Sequence, residues 1–207
     1  MEIEPIAFFR SPFATKFGIP KQSGLADTLR GTIEFVPKYR NADALRGMED
    51  FDYLWLVWEF SAIKHEATSP VVRPPRLGGN TKVGVFATRS PFRPNRLGLS
   101  SVRIDRIDYD AADGPLIHVL GADLMNGTPI YDIKPYVTYA DSHPDARSGF
   151  VDATAARRLH VVFPDSLASE FTAEELASLK KVLALDPRPQ HRDNFIKLAK
   201  EGYFDGT

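Results

Sequence analysis

Between Glu66 and Asp105 the chain has no acidic residue, yet Arg73, Arg76, Lys82, Arg89, Arg93, Arg96 and Arg103 all fall there. The 207 residues together carry a formal net charge of −1, so the basic segment stands out against a balanced background. Such a segment presents a positive field to a polyanion while the rest of the chain stays near neutral. On charge alone an equal alternative is that these arginines pair with carboxylates elsewhere in the fold. Proline sharpens the first reading. In Val72-Arg73-Pro74-Pro75-Arg76-Leu77-Gly78-Gly79 and Ala87-Thr88-Arg89-Ser90-Pro91-Phe92-Arg93-Pro94-Asn95, prolines fix φ and hold Arg73 and Arg93, which precede them, out of helical conformation. A guanidinium on a stiff loop offers a planar fork of donors that fits carboxylate, phosphate or a base edge. A nucleotide-like ligand suits that chemistry. Arg10-Ser11-Pro12-Phe13 repeats the tetrapeptide Arg89-Ser90-Pro91-Phe92; two equivalent loops lining one site are expected, with coincidence as the plain alternative.

A second candidate lies in Asp123-Leu124-Met125-Asn126-Gly127-Thr128-Pro129-Ile130-Tyr131-Asp132-Ile133-Lys134-Pro135-Tyr136. Asn126-Gly127 is a strong turn signal, and strand character on both sides predicts a hairpin. Asp132 and Lys134 are two apart on a predicted strand and so share a face. A structural salt bridge is the commoner meaning of such a pair, a catalytic acid and lysine the rarer one. Other chemistries are excluded or weak. The absence of cysteine removes disulfides, thiolate metal sites and a thiol nucleophile. The five histidines form no pair at ligand spacing, so no metal site is expected, and His65 beside Glu66 reads as a surface pair. No phosphate-cradling loop appears, and Arg76-Leu77-Gly78-Gly79-Asn80 lacks dinucleotide-fingerprint spacing.

The elements that must carry these residues are mostly strands. Gly31 to Val36 alternates and ends at Pro37; Phe51 to Phe60 is almost continuously apolar and aromatic, as a strand buried on both faces would be. Val83 to Thr88, Ser101 to Ile107, Leu116 to Leu120 and Ile130 to Ile133 add four more candidates, and Tyr39 to Leu45 reads as a short helix or turn. Many short strands with Gly and Pro turns predict a mainly β fold with a closed or strongly curved sheet. The polar run 141–149 reads as a linker, which places a β-rich domain over 1–142 and a small α+β extension over 150–207. There Thr172 with Glu175 forms a capping box for a helix from Glu174 to Leu183, Asp186-Pro187-Arg188-Pro189 stops it, and a second helix runs from Asp193 to Glu201. Hydrophobic residues at 43% and charged residues at 26% match a folded globular chain. No apolar run approaches the roughly 20 residues a spanning helix needs, and Glu2 and Glu4 stand where a signal peptide is basic. A cytoplasmic location, away from membranes, is the expectation.

Phe17-Gly18-Ile19-Pro20-Lys21-Gln22, Ala44-Leu45-Arg46-Gly47, the two proline-rich arginine motifs with Gly98-Leu99-Ser100, the 123–136 motif and Asp186-Pro187-Arg188-Pro189 occur in this order. Together they resemble the TsaA-like family, also called the YaeB or TrmO type, over nearly the whole chain. The resemblance implies a β-barrel S-adenosylmethionine-dependent methyltransferase, a homodimer, that methylates N6 of the threonylcarbamoyladenosine just 3′ of the tRNA anticodon, position 37. It implies cofactor contacts at Pro20, Lys21, Gln22, Phe60, Ser61, Arg89, Leu99, Asp123 and Leu124. Asp132 and Lys134 fall in the family's signature, and Arg188 lies in the motif associated with holding RNA. Many relatives have histidine where this chain has Ser61, which removes one cofactor contact, and a tail that stops soon after Arg188 is expected to alter tRNA choice.

Under that resemblance the sulfonium already carries the activation, and the protein aligns donor and acceptor and excludes water. The acceptor nitrogen is delocalised into adenine and carbonyl, so orienting it or sharing its proton should help. Asp132 suits that role, Lys134 the acidic substrate group, and Arg93 or Arg96 the threonyl carboxylate, while Arg73 and Arg76 serve RNA or architecture. The main rival is a regulatory module that binds S-adenosylmethionine or RNA without turnover. A structural interaction domain is weaker, because it leaves the acid-free basic segment unexplained.

Overall fold

The computed structural model describes residues 2–16, 18–64, 68–152, 161–165 and 171–184. Six of its strands close an antiparallel barrel: β1 (Ala7–Arg10), β2 (Arg30–Phe35), β3 (Tyr53–Glu59), β6 (Leu97–Asp108), β7 (Leu116–Leu120) and β8 (Thr128–Pro135), in the cyclic order β1-β2-β7-β6-β3-β8. β4 (Val71–Val72) and β5 (Val83–Gly84) pair separately as a ribbon within the basic segment. The closed mainly β fold expected from the turn-rich pattern is what forms, and closure leaves the barrel itself without an edge strand.

Alternation along the strands builds one core. Phe9, Ile33, Leu54, Leu56, Val102, Ile117, Val119 and Ile130 point inward and are almost completely buried. The strand rich in aromatics is therefore two-sided, contrary to the expectation of burial on both faces. Leu54, Leu56 and Trp58 enter the barrel, whereas Tyr53, Trp55, Val57 and Glu59 face outward. A closed barrel has only one interior, so the outer residues gain only partial cover. Tyr136 supplies some of it, with its ring centroid 6.2 Å from Tyr53 and 5.7 Å from Trp55.

Three further expectations are corrected. Val83 to Thr88 is not one strand: β5 stops at Gly84 and a 3-10 turn follows over Val85–Ala87. β6 starts at Leu97, earlier than Ser101, because glycine and serine on its inner face hide the hydrophobic alternation. Asn126-Gly127 does turn, with Gly127 at φ 77°, but it closes no hairpin between β7 and β8, which are not neighbours. Its amides bond instead to Phe13 O (2.8 Å) and Phe9 O (2.7 Å), tying the turn to β1. The Tyr39 to Leu45 segment is two 3-10 turns, Pro37–Tyr39 and Ala42–Leu45.

After the barrel, a one-turn helix α1 (Thr138–Asp141) leads into the polar stretch, and helix α2 (Ala173–Ala184) occupies the predicted Glu174 to Leu183 span, with the Leu176 amide bonded to Thr172 O at 2.9 Å. Lys181 on α2 forms an ion pair with Asp27. Phe17, His65, Glu66, Arg188 with its Asp-Pro-Arg-Pro motif, and the predicted helix from Asp193 to Glu201 lie outside the described residues.

Candidate functional site

Gly98 and Trp58 face each other across β3 and β6, and a Cβ on Gly98 would run into the indole. The glycine is what lets the large ring lie flat inside the barrel. Trp58 Nε1 then donates to Ser100 Oγ at 3.0 Å, and Ser100 Oγ donates to Asp123 Oδ1 at 2.6 Å. An indole N–H and a hydroxyl, both buried, are thus satisfied in one chain of bonds that ends on a carboxylate.

Asp123 sits just past β7 and is held from a second side by segment 20–24. The amides of Ser23 and of Asp123 itself donate to its carboxyl group, and Gly24 N bonds Gly121 O at 2.8 Å. Withdrawal from solvent pushes the Asp123 carboxyl above the usual carboxylate range, while the bonds from Ser100 and the amides and the Arg89 charge pull against that rise. Arg89 Nη1 donates to Gln22 Oε1, and Gln22 Nε2 in turn donates to Lys21 O. One neutral amide therefore joins the cation to the loop that grips the anion. Beside them Phe60 packs edge-on against Trp58 with centroids 4.4 Å apart, and the Phe60 and Ser61 amides bond Arg96 O and Glu59 O, each at 2.8 Å.

Of the residues expected to contact a cofactor, Gln22, Arg89 and Asp123 are brought together in this cluster, with Pro20 buried and Lys21 exposed on the same segment and Phe60 and Ser61 at the end of β3. Leu124 differs: its side chain is in the core, so only its main chain is available, and its carbonyl already accepts from Ser11 Oγ at 3.1 Å. Leu99 differs too, being 57% exposed on the outer wall. There it lines up across Val57 with Asp132. A bulge opposite Val57 and Trp58 keeps Asp132 and Lys134 on that same outer face, where Lys134 Nζ lies 2.8 Å from Asp132 Oδ2. The expected pair is real in geometry, but it sits on the outside of the wall whose inside carries Ser100. Two polar clusters, back to back across β3 and β6, result.

The arginines divide by what they touch. Arg96, at φ 51°, is bonded to Ile63 O at 2.8 Å and paired with Glu59 at 3.2 Å, and Glu59 also accepts from Tyr131 at 2.7 Å. Burial, then that bond, pushes the Tyr131 phenol up to about 12. Arg93 bonds Thr88 O at 3.1 Å and Ser90 O at 3.4 Å, bracing its own loop. Arg76 reaches Val151 O at 3.4 Å. Among the described residues Arg96 alone in the basic segment forms an ion pair, so the alternative of arginines neutralised elsewhere holds for that one and not for Arg73, Arg76, Lys82, Arg89 or Arg93. No group of three His, Asp or Glu among the described residues is placed to hold a metal.

The sequence pointed to Asp123 and Arg89 but not to Ser100, Trp58 or Ser23. The available signal was Ser100 as the polar member of the inward set Gly98, Ser100, Val102, opposite a tryptophan whose N–H needs a partner.

Residues 8–142 match the family model described as the tRNA-methyltransferase O N-terminal domain. A protein of Escherichia coli (strain K12) named tRNA (adenine(37)-N6)-methyltransferase is 38% identical over 197 residues, covering 92% of this chain and 83% of the relative. A Pseudomonas aeruginosa protein, RcsF, whose provisional name is that of an S-adenosylmethionine-dependent methyltransferase, is 37% identical over 205 residues, with 92% and 83% covered. The crystal structure of TrmO from Pseudomonas aeruginosa superposes with a TM-score of 0.72 at 33% identity over 90% of this chain and 82% of that one.

Proposed function

The chain belongs to the tRNA-methyltransferase O (TrmO) family, and on that premise we propose that it transfers a methyl group from S-adenosylmethionine to N6 of adenine 37 of tRNA, with N6-threonylcarbamoyladenosine as the acceptor. The observation that carries this reading is the withdrawn Asp123 carboxylate gripped by the Ser23 amide, with the neighbouring Gln22 side chain accepting from the Arg89 guanidinium, so that anion and cation are held on one segment. The amino-acid end of the cofactor is a zwitterion. A fixed anion and a fixed cation beside the Trp58 and Phe60 rings have the donor set for it: Asp123 for an ammonium or a ribose hydroxyl, Arg89 for a carboxylate, and the main chain of Pro20, Lys21, Gln22, Ser61 and Leu124 for the remaining polar edges. Bound there, the cofactor supplies a methyl group made electrophilic by its sulfonium.

Ser100 and Ser23 hold Asp123 in one orientation, so binding needs little rearrangement of the protein. The acceptor nitrogen must meet the cofactor's methyl group directly, so the Asp132–Lys134 pair, on the opposite face of the wall from Asp123, serves a cofactor held by the partner copy of the homodimer. There Asp132 orients the acceptor N–H and takes a share of its proton, because electron withdrawal leaves that nitrogen a weak nucleophile. Lys134 and the exposed Arg73 are the cations offered to the threonyl carboxylate and the RNA backbone. Arg93 and Arg96 are engaged by main-chain carbonyls and Glu59, which makes them supports of the RNA-facing loops, and Arg76 stands between these roles. Residues 1–142 form the unit that carries the chemistry, and 150–207, with Arg188, help hold the RNA. The protein is a homodimer and works in the cytoplasm, where its substrate is; among the described residues no helix is long and apolar enough to cross a membrane.

Incubating the purified chain with methyl-labelled S-adenosylmethionine and tRNA, followed by nucleoside mass spectrometry, tests the reading. Label in threonylcarbamoyladenosine is the expected result. Cofactor retained on the protein with no label in RNA would replace the enzyme with a regulatory binding module.

A further inference from the structure

The loop that presents Arg89 is heavily tied. Val85 is buried at its start; Thr88 Oγ1 donates to Val85 O at 2.9 Å, the Ser90 amide to Thr88 Oγ1 at 3.2 Å and the Phe92 amide to Ser90 Oγ at 3.2 Å, with Arg93 bridging Thr88 O and Ser90 O. A loop bonded this closely to itself holds its side chains in set positions, yet it leaves Phe86 79% and Phe92 52% exposed. The two rings stand three residues to either side of Arg89 in a segment without an acidic residue. Phenyl groups kept in water on a braced backbone are unfavourable for the isolated chain and favourable when a partner covers them. The surrounding charge selects the partner: the loop carries Arg89 and Arg93, and exposed Arg73 and Lys82 in the same segment form no ion pair among the described residues. Cations around exposed aromatic rings match the chemistry of unpaired nucleic-acid bases, in which phosphates meet the cations and the bases stack on the rings.

We propose that Phe86 and Phe92 are stacking platforms for unpaired bases of the RNA substrate, so that this surface selects a single-stranded loop over a paired stem. The inference rests on the reading of the protein as a tRNA methyltransferase and adds how it distinguishes the loop. Phenyl faces accept any base, whereas phosphate contacts alone do not separate a loop from a helix. The tetrapeptide repeat supplies an internal control, since Phe13 occupies the place of Phe92 in the other copy but is half-buried.

The test uses the full chain and its Phe86→Ala, Phe92→Ala, Phe92→Tyr and Phe13→Ala variants, titrated by fluorescence anisotropy with an anticodon stem-loop RNA and with a fully paired hairpin of equal length. Each of Phe86→Ala and Phe92→Ala is expected to weaken stem-loop binding by about tenfold while leaving paired-RNA binding and S-adenosylmethionine binding unchanged. Phe92→Tyr keeps a stacking ring and should bind as the parent does; Phe13→Ala should alter melting temperature and not loop preference. The inference is overturned if both alanine variants bind the stem-loop normally, if they lose paired RNA equally, or if light scattering shows that they change the oligomeric state without RNA. The last result would make the rings a contact between copies of the chain. A parent protein that neither binds nor methylates tRNA would instead remove the reading on which the inference stands.

Discussion

Arg10-Ser11-Pro12-Phe13 and Arg89-Ser90-Pro91-Phe92 have the same four residues and the same turn, with the phenylalanine amide donating to the serine hydroxyl at 3.2 Å in both. Their surroundings differ. Arg10 meets the Glu34 carboxylate at 2.6 Å, Ser11 bonds Leu124 O and Phe13 is half-buried with its carbonyl accepting from the Asn126 amide. Arg89 meets a neutral amide on Gln22, and Phe92 lies half in water. In the first copy the fold meets the charge with a carboxylate in direct contact and covers the ring; in the second, among the described residues, the arginine contacts only a neutral amide, with the Asp123 charge further off, and the ring is left half in water. The expectation of two equivalent loops lining one site thus holds for the backbone and fails for the side chains. A short motif sets local turn geometry through its serine and proline, but whether its arginine is neutralised or left to a ligand depends on the strand alongside.

The strongest way to break this contrast is to remove each arginine in turn. Arg89→Ala should lower the initial rate of methyl incorporation into tRNA about 10- to 100-fold, the scale of one hydrogen bond to a charged group, with little change in melting temperature. Arg10→Ala should leave the rate near the parent value, because an exposed ion pair contributes only about 0–1 kcal/mol. Equal rate losses in the two variants would return the loops to equivalence.

The second prediction concerns the anion that Arg89 faces. Burial raises the Asp123 pKa above 3.8, so folding favours the neutral form. The stabilising contribution is present below the unfolded-state pKa and is lost as pH rises through the folded-state value. Asp123→Asn should therefore raise the melting temperature of the ligand-free protein at neutral pH while strongly weakening S-adenosylmethionine binding. In the parent, calorimetric affinity for the cofactor should fall as pH drops through the elevated Asp123 titration, since a cationic ligand needs the carboxylate ionised. A pH-independent affinity would show that Asp123 is not its partner.

A smaller effect is expected one step further back. Ser100→Ala removes the hydroxyl between Trp58 and Asp123 and leaves both short of a partner, a loss of about 1–3 kcal/mol of stability. It should also push the Asp123 titration higher, shifting the pH profile of cofactor binding upward. A destabilised variant with an unshifted profile would reduce Ser100 to a packing residue.

Much of the barrel was legible in the chain. β2, β7 and the aromatic strand are visible as short alternating or apolar runs bounded by Gly and Pro, because a strand with one face in the core imposes period two. β1, only Ala7–Arg10, is too short to show a period, and the start of β6 is hidden because Gly98 and Ser100 take inward places that usually go to large apolar residues. The site was half legible. Asp123, Arg89 and the Asp132–Lys134 pair could be singled out because each stands in a local motif. Trp58, Ser100 and Ser23 could not, because their bonds to one another and to Asp123 span β3, β6 and the segment after Pro20, and no local spacing encodes a contact between distant parts of the chain.

The sequence by itself determined the mainly β class, the acid-free basic segment, the stiff presentation of its arginines and the shared face of Asp132 and Lys134. Those follow from proline geometry, charge counting and the two-residue period of a strand. Only the tertiary structure decided that Asp123 and the Asp132–Lys134 pair lie on opposite faces of the same barrel wall, that Arg96 pairs directly with Glu59 while Arg89 bonds the neutral Gln22 amide, and that Phe13 is half-buried while Phe92 is exposed. Barrel closure decides these, because it sets which strands become neighbours and which side of each faces the single core.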